Sequence, residues 1–265
     1  MTDGDRPADD DRRALSLGLL EVLAVAAAGG VAGAVNSVAG GGSLITFPTL
    51  VAVGVPPLAA NVTNTVGLVP GAAGAMIAYR EELDEQRGRL ARMVVPTLLG
   101  SAAGAALLIA TPGATFDVIV PGLVAASCLL LLFEPQLSRA IPHAGNERSP
   151  ALYAGLALAG AYAAYFGSAV GILLLGVLAL FVPDTLQRLN AIKITLAGAA
   201  NLLSTLAYAF LAPVRWEFVL VLAVSSLIGG RVGGHYSRRV SGDVLRVVIA
   251  SAGLLVAVAL AIRAF

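Results

Sequence analysis

The segment 29–64 constrains the fold most, because two apolar runs meet there at a break that carries almost no charge. It reads GGVAGAVNSVAGGGSLITFPTLVAVGVPPLAANVTN. Asn36, Ser37, the glycine run 40–42 and Pro48 would interrupt an ordinary membrane-spanning helix. In lipid every backbone N–H and C=O group must be satisfied, so broken backbone persists only where protein or a polar cavity covers it. The break therefore indicates a site inside a membrane protein.

The overall composition also indicates a membrane protein. The chain has 265 residues, of which 58% are hydrophobic and 12% charged, and its mean hydropathy is +0.87. Soluble domains average about 25% charged residues. The net charge of +1 and the lack of a basic tract argue against a nucleic-acid partner. Cys128, the single cysteine, lies in a leucine-rich segment and is most simply a small buried apolar side chain.

Apolar segments follow one another with only two sizeable polar connectors, 80–89 and 134–150. A helix that spans a bilayer needs about 20 residues, and the second and seventh segments are shorter. Each follows its predecessor across a glycine-bearing break, which indicates the return arm of a tight or re-entrant hairpin. The segments lie at about 14–35, 39–54, 59–79, 90–110, 116–133, 151–167, 169–182, 188–211, 216–236 and 244–265. We predict an all-α integral membrane protein with about 8–10 transmembrane or re-entrant helical segments.

The two parts of the chain resemble each other when one is shifted by 129 residues without gaps. Matches of asparagine, tyrosine and spaced glycine are hard to obtain by chance in a composition rich in alanine and leucine. The aligned pairs are Gly42 with Gly171, Leu44 with Leu173, Asn61 with Asn190, Tyr79 with Tyr208, Val95 with Val224, Gly100 with Gly229 and Gly104 with Gly233. We predict two homologous halves, 14–133 and 151–265, joined by a cytoplasmic linker at 134–150 and preceded by a disordered tail at 1–13.

Arginine clusters predict how the halves lie in the membrane, because Lys and Arg collect on cytoplasmic loops. Four arginines lie in 80–92 and four more in 231–246. Five crossings per half would place both clusters and the linker on the cytoplasmic side. An odd number of crossings gives the halves opposite topology, so we predict inverted repeats with both termini outside. A shallow path for the short arms would change this topology.

The first hairpin carries polar and small residues that could bind an anion. The glycine run 40–42 permits tight turns, and Ser43 is placed to cap the next helix. The exposed N–H groups at such a helix start favour an anion. Glycines also allow helices to pack closely in membranes. Packing alone gives no reason for Asn36 and Ser37 beside the glycines, so a substrate site is the stronger interpretation.

A second polar group begins the third segment and has a counterpart in the other half. Asn61 and Asn64 are three residues apart and share a helix face, as do Asn190 and Lys193 at the shifted positions. Lys193 is the only lysine in the chain, and its apolar neighbours make it a candidate counter-charge for an anion. The alternative is a lysine that extends to the lipid headgroups from the helix end. Asn201 lies near the same face.

Signatures of enzymes and metal sites are absent from the sequence. There is no G-x-S-x-G elbow, no H-E-x-x-H motif and no Walker lysine motif. His143 and His235 form no metal-ligand pair with cysteine or aspartate. We therefore expect no metal or cofactor. An intramembrane enzyme is the weaker alternative to a carrier, and a non-transporting membrane scaffold subunit is another.

Motifs in both halves carry a family resemblance. The first half has G-x-x-x-G at Gly29–Gly33, the run Gly40–Ser43, Pro48-x-Leu50, Gly54 and Thr63-Asn64. The second half has Tyr162-x-x-Tyr165-Phe166-Gly167, Gly171 and the stretch Asn190–Lys193. In this order the motifs resemble the sulfite exporter TauE/SafE family over about residues 15–265. The chain differs from the commoner family pattern at Asn36-Ser37 and Ala163-Ala164. The resemblance implies a helical permease that moves small sulfur-containing or related organic anions.

The resulting hypothesis is a multi-pass permease of the plasma membrane that exports a small anion by alternating access. The expected partners are that anion and the lipid bilayer, and the sequence leaves the oligomeric state open, a homo-oligomer included. Helix N-terminal N–H groups near Ser43 and Ser168 would help to hold the anion. The predicted substrate-binding residues are Asn36, Ser37, Gly41, Gly42, Ser43, Asn61, Thr63, Asn64, Ser168, Asn190, Lys193 and Asn201.

Overall fold

The computed structural model describes residues 7–38, 41–140, 146–236 and 242–264, and there it contains α-helices and no strand. The prediction of an all-α protein is therefore confirmed. The helices are α1 (Pro7–Val38), α2 (Ser43–Ala52), α3 (Pro57–Ala78), α4 (Arg80–Asp84), α5 (Arg87–Ala110), α6 (Gly113–Ala140), α7 (Pro150–Tyr165), α8 (Val170–Phe181), α9 (Leu186–Leu211), α10 (Trp216–Tyr236) and α11 (Gly242–Ala264).

Five of these helices are long and apolar enough to cross a membrane: parts of α1, α6 and α10, and all of α5 and α9. Many large apolar side chains on the helices are exposed, Leu158, Phe210 and Leu255 among them. An apolar surface this extensive marks contact with lipid or another protein. Together with the span lengths it supports a multi-pass membrane protein.

Two segments are longer helices than the sequence predicts. The sequence predicts a disordered tail at 1–13, but α1 begins at Pro7, and residues 1–6 lie outside the described part of the chain. Proline suits the first position of a helix, because its missing N–H would have no partner there. Helix α6 continues to Ala140, into the predicted linker 134–150.

The two breaks that the sequence predicts lie between α1 and α2 and between α7 and α8. Gly42 is a site of close backbone approach, because a Cβ placed there would lie 2.3 Å from the carbonyl oxygen of Ala32. Gly167 and Ala169 have positive φ angles of 75° and 59°, a conformation that costs an alanine energy. Helices α2 and α8 have only 10 and 12 residues. At 1.5 Å per residue they are too short to cross a hydrocarbon core of about 30 Å.

The same helix packing occurs twice in the molecule. Helix α1 packs on α10 and α10 on α3, whereas α7 packs on α5 and α5 on α9. These contacts form two groups of three helices, one of α1, α3 and α10 and the other of α7, α9 and α5. Under the 129-residue shift α1 corresponds to α7, α3 to α9 and α10 to α5. Each group therefore contains two helices of one half and one helix of the other half. Contacts of α3 with α9 join the two groups, and outside the groups α6 packs on α11, its counterpart under the shift. This exchange supports a duplication; the opposite orientation of the halves in a membrane stays a prediction.

Close contacts at small residues repeat in the two groups. A Cβ added to any of the glycines concerned would lie within 3 Å of backbone atoms of the facing helix, so the helices touch backbone to backbone. The repeated contacts are Gly100 on Ala157 and Gly229 on Gly30; Gly104 on Ala161 and Gly233 on Ala34; and Gly160 on Thr97 and Gly33 on Ser226. The repeated glycines seen in the sequence are thus sites of helix packing.

Candidate functional site

A cavity of about 60 Å³ lies between α3 and α9, where the two helix breaks meet. Four of the predicted substrate-binding residues line it: Asn36, Ser43, Lys193 and Asn201. The other lining residues are small or apolar: Leu68, Ala72, Ala75, Gly167, Val170, Gly171, Ile194, Ala197 and Gly198. A water molecule needs roughly 10–15 Å³ of such space. The cavity therefore has room for a few waters or for an anion of comparable size.

Among the described residues that line this cavity, Lys193 is the one basic side chain. Helix α9 begins at Leu186, after Thr185 accepts a hydrogen bond from the backbone N–H of Arg188 at 3.4 Å. Lys193 therefore lies about two turns into the helix, and its side chain is only 2% exposed. A lysine that reached the headgroups would be exposed at its tip. The buried side chain instead lines the cavity inside the helix bundle.

Helix N-termini add positive potential to the cavity. Ser43 is the first residue of α2, and Val170 and Gly171 begin α8. The first N–H groups of a helix lack partners within the helix and favour a negative charge. The sequence predicts Ser43 as a helix cap, but Gly42 holds the cap position and no side chain caps it. Ser43 is instead the first helical residue and lines the cavity, because the chain turns at the preceding glycine.

Asn36 links the first break to the cavity. Its Oδ1 accepts a hydrogen bond of 2.8 Å from the backbone N–H of Gly42, across the break. Asn201, on the other side of the cavity, has an Oδ1 that is buried and has no hydrogen-bond partner among the described residues. Gly41 packs against Leu131, which lies 3.3 Å from the position of an added Cβ. The break is thus fixed by an amide and by close packing.

Two predicted binding residues, Asn61 and Asn190, hold helix ends rather than line the cavity. Asn61 Nδ2 donates to the carbonyl oxygen of Tyr165 at 2.9 Å, at the end of α7. Asn190 Nδ2 donates to the carbonyl oxygen of Ser37 at 3.3 Å, near the end of α1. Each asparagine therefore stabilises the broken helix of the other half, because a helix end leaves carbonyl groups without partners.

Four further predicted residues lie outside the cavity lining. Ser37 donates to the carbonyl oxygen of Gly230 at 2.9 Å. Thr63 Oγ1 accepts a hydrogen bond from the backbone N–H of Arg215 at 3.0 Å. Asn64 accepts a hydrogen bond from the hydroxyl of Thr46. Ser168 is buried, and its hydroxyl has no hydrogen-bond partner among the described residues.

Two tyrosines support the site without being predicted as part of it. Tyr208 donates to the carbonyl oxygen of Ala164 at 2.6 Å, and Tyr79 contacts the carbonyl oxygen of Ser37 at 3.5 Å. Tyr79 also accepts a hydrogen bond of 3.0 Å from Asn190. These tyrosines align under the 129-residue shift, which was a signal for the repeat. The sequence carries no signal for their helix-end partners, which lie over 40 residues away.

An ion-pair cluster marks one end of the helix bundle, here called the Arg188 face. Arg89 contacts Glu147 at 2.5 Å and Asp184 at 2.6 Å, while Arg188 contacts Asp184 at 3.2 Å and Glu85 at 3.0 Å. Partial burial of Asp184 opposes its ionisation. The hydrogen bonds from Arg89 and from the Thr185 N–H, with the charge of Arg188, outweigh that effect and hold the pKa of Asp184 below its usual value.

The fold and the cavity define a multi-pass helical membrane protein with a cavity between two broken helices that Lys193 lines. A profile of the sulfite exporter TauE/SafE family matches residues 25–260. The chain belongs to this family.

Three related proteins match most of the chain. A probable membrane transporter protein, ORF9, of Sinorhizobium sp is 29% identical over 255 residues, covering 94% of this chain and 93% of that one. The probable membrane transporter protein YfcA of Escherichia coli K12 is 29% identical over 232 residues, or 83% of this chain and 80% of its own. A probable membrane transporter protein of Haemophilus influenzae is 27% identical over 208 residues, which cover 77% of this chain and 80% of that one. No solved structure matches. These findings show a membrane transporter.

Proposed function

We propose that this transporter carries small anions, sulfite, sulfonates or similar organic anions, across the plasma membrane by alternating access. The observation that carries the proposal is the buried cavity that combines Lys193 with the N-terminal ends of α2 and α8. A charged group in a membrane interior marks a substrate pathway when it faces a cavity. An anion would be held there by the lysine charge and by helix N–H groups.

The size and polarity of the cavity narrow the choice of cargo. About 60 Å³ suits an anion of a few heavy atoms. The Nδ2 groups of Asn36 and Asn201 are donors suited to oxyanion oxygens, and no carboxylate is among the described residues that line the cavity. The relatives' names state only membrane transport, so the choice of sulfur oxyanions rests on the family description and this chemistry.

The membrane potential would favour export of such an anion. An inside-negative potential of 100 mV contributes about 2.3 kcal/mol per elementary charge. A carrier that moves a monoanion outward would therefore need no coupling ion. The described residues that line the cavity include no carboxylate or histidine, which supports this uncoupled scheme, because proton relays in membranes are usually built from Asp, Glu or His.

Sulfite flux into and out of proteoliposomes, at imposed potentials of either sign, tests the proposal. We expect flux that follows the potential, abolished in Lys193→Ala and partly kept in Lys193→Arg, because arginine preserves the charge. Arg215→Gln is the matched control: it removes one positive charge from an exposed side chain outside the cavity, so its flux should stay unchanged.

Two results would contradict the proposal. Unchanged flux in Lys193→Ala would remove this residue from the site. No flux of sulfite, sulfate, thiosulfate or sulfoacetate through folded wild-type protein would reject the anion cargo and favour a non-transporting membrane subunit.

A further inference from the structure

The cavity lies toward one end of the helix bundle. Thr63, near the start of α3, contacts Arg215 after the end of α9, whereas Tyr79, after the end of α3, contacts Asn190 near the start of α9. Helices α3 and α9 therefore run antiparallel. Because α9 begins beside Arg188, its first half is nearer the Arg188 face, and its second half is nearer the opposite end, here called the Arg215 face.

The lining residues of α3 and α9 divide into a shared centre and a one-sided part. Leu68 aligns with Ala197 and Ala72 aligns with Asn201 under the 129-residue shift, and all four line the cavity. They form the centre about which the two halves correspond. Ala75, Lys193 and Ile194 lie from that centre toward the Arg188 face. The cavity thus extends from the centre of the bundle in one direction.

The counterparts of these one-sided residues lie toward the Arg215 face and are packed. Ala75 corresponds to Ser204, Lys193 to Asn64 and Ile194 to Thr65. Ser204 is 0% exposed, Asn64 2% and Thr65 4%, and none of them lines the cavity.

Hydrogen bonds hold these packed residues in place. Asn64 accepts from Thr46, and Thr65 donates to the Asn61 carbonyl at 3.0 Å. Ser204 lies 3.0 Å from the hydroxyl of Ser101. The cavity therefore borders α3 and α9 on one side of the centre only, whereas on the other side Asn64 bonds to α2 and Ser204 to α5.

Equivalent contacts in the two halves mean that either side of the centre could hold the cavity. The asparagine bonds to the ends of α1 and α7 and the paired glycine contacts recur in both groups. Since a packed structure with near-equivalent halves has two related arrangements of similar contacts, it can switch between them.

We infer that the protein has a second anion-binding cavity, closed in this structure, that opens toward the Arg215 face and is lined by Asn64, Thr65 and Ser204. Its ligand class rests on the proposed function, whereas its existence rests on the packing. The shared centre at Ala72 and Asn201 belongs to both cavities. An anion bound at the centre would then pass from the lysine side to a side that offers an amide and two hydroxyls.

The chemistry of the two sides differs. The second cavity offers neutral donors where the first offers the ammonium group of Lys193. Hydrogen bonds to charged groups are stronger than those between neutral groups. Sulfite should therefore half-saturate transport at about a tenfold higher concentration from the Arg215 face than from the Arg188 face.

Cysteine accessibility tests the second cavity without measuring transport. Cys128, the single cysteine, is buried between α6 and α11 beside Gly253, so Cys128→Ala supplies a background free of cysteine. Thr65→Cys and Ser204→Cys probe the second cavity with nearly isosteric changes. Ala75→Cys probes the first cavity, and Ala191→Cys, fully buried and outside both, is the control. The probe is sulfonatoethyl methanethiosulfonate, a membrane-impermeant anion, applied to right-side-out and inverted vesicles.

We expect the cysteine at position 75 to react only from the Arg188 face, those at 65 and 204 only from the Arg215 face, and the control from neither. Sulfite should slow both reactions if it occupies the shared centre. Unreactive cysteines at 65 and 204, beside a reactive one at 75, would overturn the second cavity. Reaction of position 65 or 204 from the Arg188 face would also overturn it and indicate one continuous channel.

The accessibility result separates this inference from the proposed function. Sulfite flux with unreactive cysteines at 65 and 204 would keep the anion carrier and reject the second cavity. Alternating accessibility without flux or protection by sulfite would keep the two cavities and reject sulfite as their ligand.

Discussion

Two asparagines near the cavity, the buried Asn61 and the half-buried Asn201, have different surroundings. Asn61 donates to the carbonyl oxygen of Tyr165, whereas Asn201 lines the cavity with an Oδ1 that lacks a partner among the described residues. An amide that supports a helix end contributes to stability. An amide that faces a cavity is available to a ligand.

Alanine substitutions at these two asparagines should therefore affect different quantities. Asn61→Ala should lower the free energy of unfolding by about 0.6 kcal/mol, a typical value for a hydrogen bond inside a membrane protein, and should lower the maximal rate of transport. Asn201→Ala should leave stability nearly unchanged and raise the half-saturating concentration of sulfite. Thermal unfolding in detergent and sulfite flux measure the two effects, and equal changes in both variants would contradict the distinction.

At the residue level, the sequence identified the polar groups but not their roles. Asn61, Asn190 and Lys193 stand out because polar residues are rare in apolar segments. All three lie near the start of α3 or α9, yet Lys193 lines the cavity and the two asparagines bond to helix ends. The difference depends on partners more than 100 residues away, and local spacing cannot reveal such partners.

The helices are held together by backbone contact at small residues. In the contact of α5 with α7, Gly100 leaves no room for a side chain, because an added Cβ would lie 1.8 Å from the carbonyl oxygen of Ala157. Gly122 of α6 differs, since nothing lies within 4 Å of the position of its Cβ. Substitutions at these two glycines therefore distinguish the effect of helix packing on stability from the effect of helix propensity.

Gly100→Ala should lower the free energy of unfolding by about 1–3 kcal/mol, the usual effect of overpacking a close contact. Gly122→Ala is the matched control and should be neutral or slightly stabilising, because alanine favours helix more than glycine does. The midpoint of thermal unfolding in detergent measures both. Destabilisation of equal size in the control would show that backbone flexibility, rather than contact, matters at position 100.

At the level of helices, the sequence predicts breaks better than it predicts ends. The gaps between α1 and α2 and between α7 and α8 coincide with glycine-bearing stretches, because glycine permits turns that other residues resist. The end of α6 at Ala140 was missed, since a polar stretch can continue a helix beyond the apolar span. Polarity indicates where a helix could leave the lipid but does not require it to end there.

For the whole molecule, the duplication was visible in the sequence because asparagine, tyrosine and glycine recur at one shift. The structure adds the exchange of helices between the groups: α1 with α10, and α7 with α5. Such an exchange could not be read from the sequence, since the shift aligns the halves without indicating which helix of one packs on the other. It explains how a change in one helix pair could reach both halves.

The ion-pair cluster on the Arg188 face also joins the halves. Arg89 at the start of α5 contacts Asp184, which precedes α9, and Glu147 of the connector between the halves. The side chains of Arg89 and Asp184 are 19% and 13% exposed, so solvent screens these pairs less than it screens the exposed pair of Arg87 with Asp84. Asp184 is therefore the carboxylate through which acid should weaken the contact between the halves.

The pKa of Asp184 is lower in the folded protein than its ordinary value, because Arg89, the Thr185 N–H and Arg188 outweigh the effect of its burial. Its ionised form therefore stabilises the fold above the pKa that an aspartate has in the unfolded chain, about 4, and that contribution is lost as the pH falls through the lower pKa of the folded protein.

Asp184→Asn should lower the midpoint of thermal unfolding in detergent at pH 7, and the difference from wild type should shrink below about pH 4. Asp84→Asn, which removes an exposed pair, should differ little from wild type at either pH. A difference between Asp184→Asn and wild type that stays constant from pH 7 to pH 3 would show that ionisation of Asp184 does not stabilise the contact between the halves.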